Sequence, residues 1–375
     1  MLLLATEIWK SHGGIQRYMR MVCRILADRG EEFATLALLD EPNHRPGDAS
    51  FSTTCCSGSK WSFCVEAFRL ATKGAARTCI VGHIAFLPLV WVLRQVKLIH
   101  RYAIVLHGLE AWYRLSWISR SVARKADVII ATTHYTGREF CFHNGLNANN
   151  CVVIPLACNF CASAIRRAGL RSELRVLTVT RLSVADAYKG IDTLLRAVRA
   201  ASDAGVKLTL DVVGSGNDKE RLEDLARSLG VHTFVRFRGS APDEELEQLL
   251  AESDVFAMPS KKEGFGIVFL EAMAAGLPCI GANHGGTPEV IVHGESGFLI
   301  EYGDADQLAF YLRALSQSPG LREAMARAAY RRATETLSFD VMARSWNHLI
   351  ERLENQGSEA FAALEDRNKV PTVAP

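Results

Sequence analysis

Residues 260–279 read Ser260-Lys-Lys-Glu-Gly-Phe-Gly-Ile-Val-Phe-Leu-Glu-Ala-Met-Ala-Ala-Gly-Leu-Pro-Cys279, and they follow an apolar run from Asp254 to Pro259. Gly264 and Gly266 permit a tight turn and a close approach of backbone to a ligand. The segment from Ile267 to Ala275 is rich in helix formers, and a glycine and a proline follow it. The stretch therefore predicts a strand, a glycine loop and a short helix, whose N-terminal amides and dipole form a seat for an anion.

Two carboxylates flank this predicted anion seat. Glu263 lies in the loop, and Glu271 lies on an otherwise apolar turn of the helix. At the helical rise they are at most about 12 Å apart, which suits a sugar and a ribose better than two acids at one bond. A buried charge needs partners, so Glu271 either binds ribose hydroxyls or pairs with a basic side chain in the core.

The whole pattern resembles the retaining glycosyltransferases of family 4, which have the two-domain GT-B fold. It contains two glutamates separated by seven residues, Gly-Phe-Gly between them, then Gly-Leu-Pro and Gly285-Gly-Thr-Pro-Glu289. The similarity covers the C-terminal half densely and the N-terminal half thinly. It extends through Val179-Thr-Arg-Leu182, Tyr188-Lys-Gly-Ile-Asp192, Val212-Val-Gly-Ser-Gly216 and Gly294-Glu-Ser-Gly-Phe-Leu299.

Length and composition indicate a globular α/β protein of two domains. The chain has 375 residues, of which 49% are hydrophobic and 22% charged. The longest apolar candidate for a membrane span, Ile84 to Leu93, is about half the ~20 residues required. The N-terminus lacks the pattern of a signal peptide. The ten cysteines show neither disulfide nor zinc spacing, so we expect reduced thiols in a cytoplasmic protein.

The charge is unevenly divided along the chain. Residues 1–170 hold 20 Lys and Arg against 11 Asp and Glu, a net of +9, whereas the remainder carries −7. Seven cations flank the apolar segment Ile84 to Leu93. They are Arg94, Lys97, Arg101, Arg114, Arg120, Arg124 and Lys125. With no aromatic-interleaved RNA motif, we expect peripheral contact with an anionic membrane, at its inner face, and no nucleic-acid partner; the alternative is a solvated basic face.

The N-terminus predicts the first unit of a doubly wound sheet. A short apolar strand from Met1 to Thr6 precedes Gly13-Gly14 and an amphipathic helix from Gln16 to Arg29. The two glycines form either a tight turn and nothing more or, as the resemblance implies, a loop that binds the donor from the N-terminal domain.

A second candidate site follows the strand Ala103–Leu106. His107 and Glu110 come directly after it, where open α/β sheets bind ligands. A lone histidine is more often structural, but the resemblance implies that His107 lies beside the transferred sugar. Glu110 is a candidate for binding the acceptor.

The resemblance also implies the domain organisation. Residues 1–170 would bind the acceptor, and residues 171–338 would bind the nucleotide sugar across a cleft. Residues 339–354 would form a helix crossing back to the N-terminal domain, and residues 355–375 a loose tail. A linker would lie around residues 157–173.

Two cations and two glycine loops complete the predicted donor site. Arg181 follows the strand Leu174–Thr180, and Lys189 lies in the loop before a helix; both suit phosphate, and the alternative is two surface cations. Gly214 opens the loop after the predicted strand Lys207–Val213, and the resemblance implies that backbone near Gly239 faces the nucleobase.

These resemblances imply a hexosyltransferase of mannose or glucose type, acting on a saccharide or lipid-linked saccharide in surface-glycan synthesis. Glu271 would bind the ribose. Glu263 and the amides of Gly264, Phe265 and Gly266 would hold the sugar, and Arg181 and Lys189 the leaving diphosphate. We expect neither a metal nor another cofactor, since no Asp-x-Asp motif lies near a strand end.

Three alternatives stay open. A nucleotide-sugar epimerase of the same two-domain type needs no acceptor. A Rossmann dehydrogenase is disfavoured, because neither glycine loop has the Gly-x-Gly-x-x-Gly pattern with an acid about 20 residues later. A non-catalytic scaffold is disfavoured, because every charged position of the predicted donor site is filled.

Overall fold

The structure, a computed structural model, describes residues 1–11, 13–44, 46, 50–73, 78–158 and 173–355. The described chain forms two compact units. Unit 1 comprises the described part of residues 1–157 together with 339–355, and unit 2 comprises that of residues 158–338. The predicted linker falls mostly, and the predicted tail almost wholly, outside the described residues.

Unit 1 contains seven strands and unit 2 contains six. The strands of unit 1 are β1 (Leu2–Ala5), β2 (Ala34–Ala37), β3 (Thr53–Cys55), β4 (Thr78–Val81), β5 (Arg101–Leu106), β6 (Val128–Ala131) and β7 (Cys151–Val153). Those of unit 2 are β8 (Leu174–Val179), β9 (Leu208–Val213), β10 (Val235–Gly239), β11 (Val255–Met258), β12 (Cys279–Ala282) and β13 (Gly297–Ile300).

Thirteen α-helices surround these strands in the described chain. They are α1 (Gly14–Asp28), α2 (Lys60–Thr72), α3 (Leu87–Gln95), α4 (Trp117–Arg124), α5 (His134–Asn144), α6 (Ile191–Asp203), α7 (Lys219–Ser228), α8 (Asp243–Glu252), α9 (Ile267–Ala274), α10 (Thr287–Val290), α11 (Ala305–Gln317), α12 (Pro319–Arg331) and α13 (Phe339–Asn355). A 3-10 segment, Val184–Lys189, precedes α6, and a π-helical turn, Arg332–Thr336, follows α12.

The sheet of unit 1 is parallel, with the order β3-β2-β1-β4-β5-β6-β7. The chain builds outward from β1 in one direction and then, from β4, in the other. This reversal between β1 and β4 is a topological switch point, and ligands of such folds bind beyond the carboxyl ends of the strands there.

The sheet of unit 2 repeats the arrangement with the order β10-β9-β8-β11-β12-β13, again all parallel. Its switch point lies between β8 and β11. Strands β9 and β11 are buried at every position, as expected for a parallel sheet covered on both faces, although β9 includes the polar residues Thr209 and Asp211. The predicted doubly wound α/β class is therefore confirmed in both units.

Helix α1 packs on the core of unit 1 through apolar residues at helical spacing. Tyr18, Met19, Val22 and Leu26 lie on one face and are fully buried. The phenol of Tyr18 donates to the Ile154 carbonyl oxygen at 3.1 Å. It also accepts from Trp346 of α13, Nε1 to Oη at 3.2 Å. Helix α13 thus completes the core of unit 1.

One strand is not indicated by the composition of the sequence around it. Residues 41–60 have the composition of an irregular loop, but Thr53–Cys55 forms the edge strand β3 beside β2. Three residues are too few to show an alternating pattern, and their pairing depends on the neighbouring strand. Among the described helices, none has the length and apolar content needed to cross a bilayer.

Candidate functional site

The switch point of unit 2 gathers the predicted charged residues of that unit. Arg181 comes two residues after β8, and Lys189 ends the 3-10 segment that follows it. Glu263 lies in the loop between β11 and α9. Because β8 and β11 are hydrogen-bonded neighbours with parallel directions, their following loops emerge at the same sheet edge.

Lys189 and Glu263 form an ion pair in this edge. The ammonium Nζ lies 2.5 Å from the carboxylate Oε2, and the two side chains are only 17% and 15% exposed. The pair joins the two loops that follow β8 and β11. A charge-assisted contact of this kind fixes both side chains in position.

Arg181 is held differently. Its side chain is 79% exposed, and its Nη2 donates to Oδ1 of the nearly buried Asp186 at 3.1 Å. The hydroxyl of Tyr188 donates to the same oxygen at 2.9 Å. Burial, followed by the contact with Asp186, raises the pKa of Tyr188 to about 12, so the phenol remains protonated and donating.

Glycines allow the loops at this edge to approach one another. Gly214 follows β9 with φ of 139°, and a Cβ there would lie 1.7 Å from the Thr180 carbonyl oxygen, next to Arg181. Its amide donates to the Gly239 carbonyl at 2.7 Å. Gly190 follows Lys189 with φ of 77°, and its Cβ would lie 2.3 Å from the Pro259 carbonyl oxygen.

The loop before α9 has the predicted geometry. Gly266 is the N-cap residue with φ of 88°, so no side chain caps the first turn of α9. Phe265, between the two glycines of the loop, is buried. The Gly286 amide donates to the Glu263 carbonyl at 2.7 Å, which braces the loop from the chain after β12.

Glu271 lies one turn further along α9 and is 8% exposed, as the apolar pattern around it predicts. The sheet edge therefore combines two cations, two carboxylates and an uncapped helix start. Together with Gly214 and Gly239, the structure places every unit 2 residue of the predicted site, Gly264 included, at the loops of one sheet edge or on the helix that starts there. Their individual roles stay predictions.

In unit 1, Gly13 and Gly14 lie at the start of α1, as expected. Gly13 is the N-cap residue, and a Cβ there would lie 2.5 Å from Oε1 of Gln16. The side-chain Nε2 of Gln16 donates to the Glu7 carboxylate at 2.5 Å, and the Ser11 hydroxyl donates to the same carboxylate at 2.9 Å. From outside this segment, the Asp40 carboxylate accepts from the amides of Ile8 at 2.8 Å and Lys10 at 2.9 Å, so both local and distant side chains hold its described residues.

His107 follows β5 and is almost completely buried. Its Nε2 lies 2.9 Å from the Gly82 carbonyl oxygen. The carbonyl accepts, so Nε2 carries the proton and Nδ1 carries a lone pair that has no hydrogen-bond partner among the described residues. Burial lowers the pKa of His107, which keeps the ring neutral.

Glu110 stabilises the turn after His107. Its Oε1 accepts from the amides of His107 at 2.6 Å and Gly108 at 3.1 Å. This contact is a structural role that the sequence did not indicate. Binding of an acceptor by Glu110 stays a prediction.

Sequence reasoning gave no role to Asp186 and Tyr188. Tyr188 was visible within the motif before Lys189, and an acid two residues earlier was the available signal. Neither shows its partners without the fold. No cluster of three or more His, Cys, Asp or Glu side chains suited to a metal occurs in the part of the chain that the structure describes, and the absence of a metal requirement stays a prediction.

Comparison with known proteins identifies the family. The model of glycosyl transferases group 1 matches residues 167–332, and that of glycosyltransferase family 4 matches residues 12–159. The chain is 30% identical over 337 residues to a GDP-mannose-dependent α-(1-6)-phosphatidylinositol monomannoside mannosyltransferase of Mycobacterium tuberculosis. That alignment covers 82% of this chain and 86% of the relative.

Solved structures share the fold. A glycosyltransferase from Rickettsia africae superposes with a TM-score of 0.80 at 17% identity, covering 95% of this chain and 99% of the other. Anabaena HepE, in complex with UDP and glucose, gives 0.74 at 18% identity, covering 93% and 99%. The two parallel sheets, the match of both family models and the identity shared with the mycobacterial enzyme together show that this chain is a glycosyltransferase with the GT-B fold and belongs to family 4.

Proposed function

We propose that this enzyme transfers a hexose of mannose or glucose type from a nucleoside-diphosphate sugar to a saccharide or lipid-linked saccharide, with retention of anomeric configuration and without a metal. The observation that carries the proposal is the sheet edge of unit 2, where the segments that hold Arg181, Lys189 and Glu263 follow the neighbouring strands β8 and β11 and the first turn of α9 has no side-chain cap. The guanidinium of Arg181, the ammonium of Lys189 and the amides at the start of α9 are hydrogen-bond donors that suit the oxygens of a diphosphate.

The chemistry follows from where charge develops. As the bond from the anomeric carbon to the diphosphate breaks, the leaving oxygens gain negative charge, and Arg181, Lys189 and the amides at α9 stabilise it. The acceptor oxygen bonds to the same face of the sugar, and its proton passes to the departing phosphate. The two cations supply the charge that a metal would otherwise provide.

The remaining residues would bind rather than react. Glu263, fixed by Lys189, accepts hydrogen bonds from the transferred sugar, and buried Glu271 accepts from the ribose diol. His107, whose pKa is lowered by burial, would lie beside the transferred sugar. Gly13 and Gly14 would bind the diphosphate through their amides.

A nucleotide panel tests the donor. UDP, GDP, ADP and their sugars are compared by thermal shift, because a ligand at 100 times its dissociation constant stabilises by about 2.7 kcal/mol. The mycobacterial relative is described as GDP-mannose-dependent, whereas HepE was crystallised with UDP, so both bases are included. Failure to bind any nucleoside diphosphate would contradict the proposal and favour a non-catalytic scaffold.

Turnover tests the role of Arg181. Arg181→Ala should raise the barrier by about 2–4 kcal/mol, a fall in kcat of roughly 30- to 900-fold, by analogy with lost oxyanion donors. Arg199→Ala is the matched control, because Arg199 is also exposed and paired with an aspartate in unit 2. An increase in KM with unchanged kcat would show that Arg181 binds ground and transition states equally. Epimerised sugar nucleotide released without acceptor would indicate an epimerase instead.

We further propose that the enzyme works in the cytoplasm and docks on an anionic membrane to reach a lipid-linked acceptor. Unit 1 exposes aromatic side chains on helices that neighbour one another, α2 with α3 and α3 with α4. Trp61 on α2 is 80% exposed, Trp91 on α3 is 41% exposed, and Trp117 on α4 is 72% exposed. Tryptophan favours the interface between headgroups and hydrocarbon.

The basic residues predicted to contact the membrane divide into two groups. Arg94 stacks on Tyr102 and Arg101 donates to the Leu353 carbonyl, so both serve the fold. Lys97, Arg114, Arg124 and Lys125 are exposed, while Arg120 is half-buried. Trp117, Arg120 and Arg124 are spaced to share one face of α4. Four exposed cations at roughly 1 kcal/mol each give reversible attachment.

Vesicle co-sedimentation tests this docking. Binding should require anionic lipid and should fall between about 0.01 M and about 1 M salt, as the Debye length shrinks from about 30 Å to about 3 Å. Trp61→Ser with Trp117→Ser should weaken it, whereas Phe310→Ser, an exposed aromatic of unit 2, should not. Absence of binding at low salt would refute membrane docking and indicate a soluble acceptor.

A further inference from the structure

Tyr188 connects the two loops that form the charged edge of unit 2. Its hydroxyl donates to Asp186, and its carbonyl oxygen accepts from the Lys261 amide at 2.8 Å. The ammonium groups of Lys189 and Lys262 lie 5.6 Å and 5.9 Å from the centroid of its ring. One side chain therefore contacts groups from both the segment after β8 and the loop after β11.

Asp186 is the nearly buried partner of an exposed side chain. Its carboxylate is 9% exposed, and its amide donates to the Ser183 carbonyl at 2.8 Å. Arg181, by contrast, is 79% exposed, and an arginine without a fixed partner samples many rotamers. The contact to Asp186 selects among those rotamers.

The geometry of this contact leaves Arg181 able to bind a ligand. A guanidinium has five N–H donors in a rigid fork. Its one hydrogen bond to Asp186 runs through Nη2, and most of the group faces solvent. Asp192, by contrast, engages Arg221 through two parallel bonds at 2.6 and 2.8 Å, which occupy two of its donors.

We infer that Asp186 and Tyr188 are positioning residues that present Arg181 to the diphosphate of the donor. The inference rests on the proposed function, because it assigns Arg181 to the leaving group. Tyr188 orients the Asp186 carboxylate, and Asp186 holds the guanidinium. Neither touches the substrate.

Two conservative substitutions test the pair in the full chain. Asp186→Asn keeps the size of the side chain and removes its charge, and it should lower kcat about tenfold or more, the loss expected for a hydrogen bond to a charged group. Tyr188→Phe keeps the ring and removes the hydroxyl, and it should lower kcat severalfold. Donor KM should change far less, because the arginine is still present. Asp203→Asn, in the exposed pair with Arg199, is the control and should leave kcat unchanged.

A double-mutant cycle separates positioning from general damage. In an Arg181→Ala background, both substitutions should have no further effect on kcat, since the residue through which they act is gone. A full additional loss in that background would overturn the inference. Tighter nucleotide binding by Asp186→Asn with undiminished kcat would also overturn it, because Asp186 would then be a competing counter-ion.

A measurement without donor keeps this inference distinct from the proposed function. The ¹⁵N relaxation of the Arg181 Nε–H group should report greater motion in Tyr188→Phe and Asp186→Asn than in the wild type. Unchanged order would refute the positioning role even if the enzyme transfers sugar. Wild-type protein that binds no nucleoside diphosphate would refute the proposed function while the contact with Arg181 is still measured.

Discussion

The ion pair between Lys189 and Glu263 gives a quantitative test of how the edge of unit 2 is built. Lys189→Met keeps most of the side-chain length and removes the charge. It leaves the Glu263 carboxylate, which is 15% exposed, without the ammonium that lies 2.5 Å away. Removal of one partner from a buried pair costs about 3–5 kcal/mol. Because both groups retain some contact with water, we expect about 3 kcal/mol.

That cost is large enough to measure in the melting of the whole chain. For a unit of 150–250 residues, each kcal/mol shifts Tm by roughly 2–4 °C, so Lys189→Met should lower the calorimetric transition of unit 2 by about 6–12 °C. The double variant Lys189→Met/Glu263→Gln should recover most of the loss, since no unpaired charge remains buried.

The chain offers a control that differs mainly in burial. Arg199 and Asp203 form a pair in the same unit at 2.7 Å, but their side chains are 48% and 57% exposed. Asp203→Asn should cost only about 0.2–1 kcal/mol. All six tryptophans lie in residues 1–157 and 339–355, so their emission reports on unit 1 alone.

Three results would refute this reasoning. The first is a Tm of Lys189→Met that equals that of the wild type or falls no further than that of Asp203→Asn. The double variant could show the sum of the two single losses, which would exclude coupling between the charges. A change confined to the tryptophan transition would place the damage in unit 1, away from the pair.

Three further predictions concern other parts of the molecule. Glu271→Gln should weaken binding of the nucleotide identified by thermal shift by about 1.5–3 kcal/mol without changing Tm. An unchanged affinity by calorimetry would show that Glu271 is not part of the donor site. Gly214→Ala should destabilise unit 2, because the added Cβ would lie 1.7 Å from the Thr180 carbonyl oxygen at a φ of 139°. Gly205→Ala is the control, since Gly205 also has a positive φ but a Cβ there would meet open space. Equal urea midpoints for the two variants would contradict the steric argument. Burial lowers the pKa of His107, so near pH 6.5 the unfolded chain binds a proton that the folded chain does not. As the pH decreases below about 6.5, the free energy of unfolding should therefore decrease, by up to about 1.4 kcal/mol per pH unit. Denaturation at several pH values should show a smaller slope for His107→Gln.

The sequence by itself determined the helices and strands and where they begin and end. The apolar run before Ser260, the glycines at 264 and 266 and the helix formers after them predicted β11, the loop and α9 within a residue or two. The same local signals placed Arg181 directly beyond β8 and His107 beyond β5. These features depend on neighbours along the chain, through backbone freedom at glycine and through the spacing of apolar side chains.

The tertiary structure alone decided the partners. Lys189 and Glu263 are 74 residues apart, and they meet because β8 and β11 lie side by side at the switch point. Trp346 reaches Tyr18 across 328 residues because α13 packs on α1. The hydrogen bond to the Gly82 carbonyl oxygen fixes the tautomer of His107, and strand order brings that oxygen within reach. A local pattern states that a side chain needs a partner, whereas the order of strands in the sheet determines which residue that partner is.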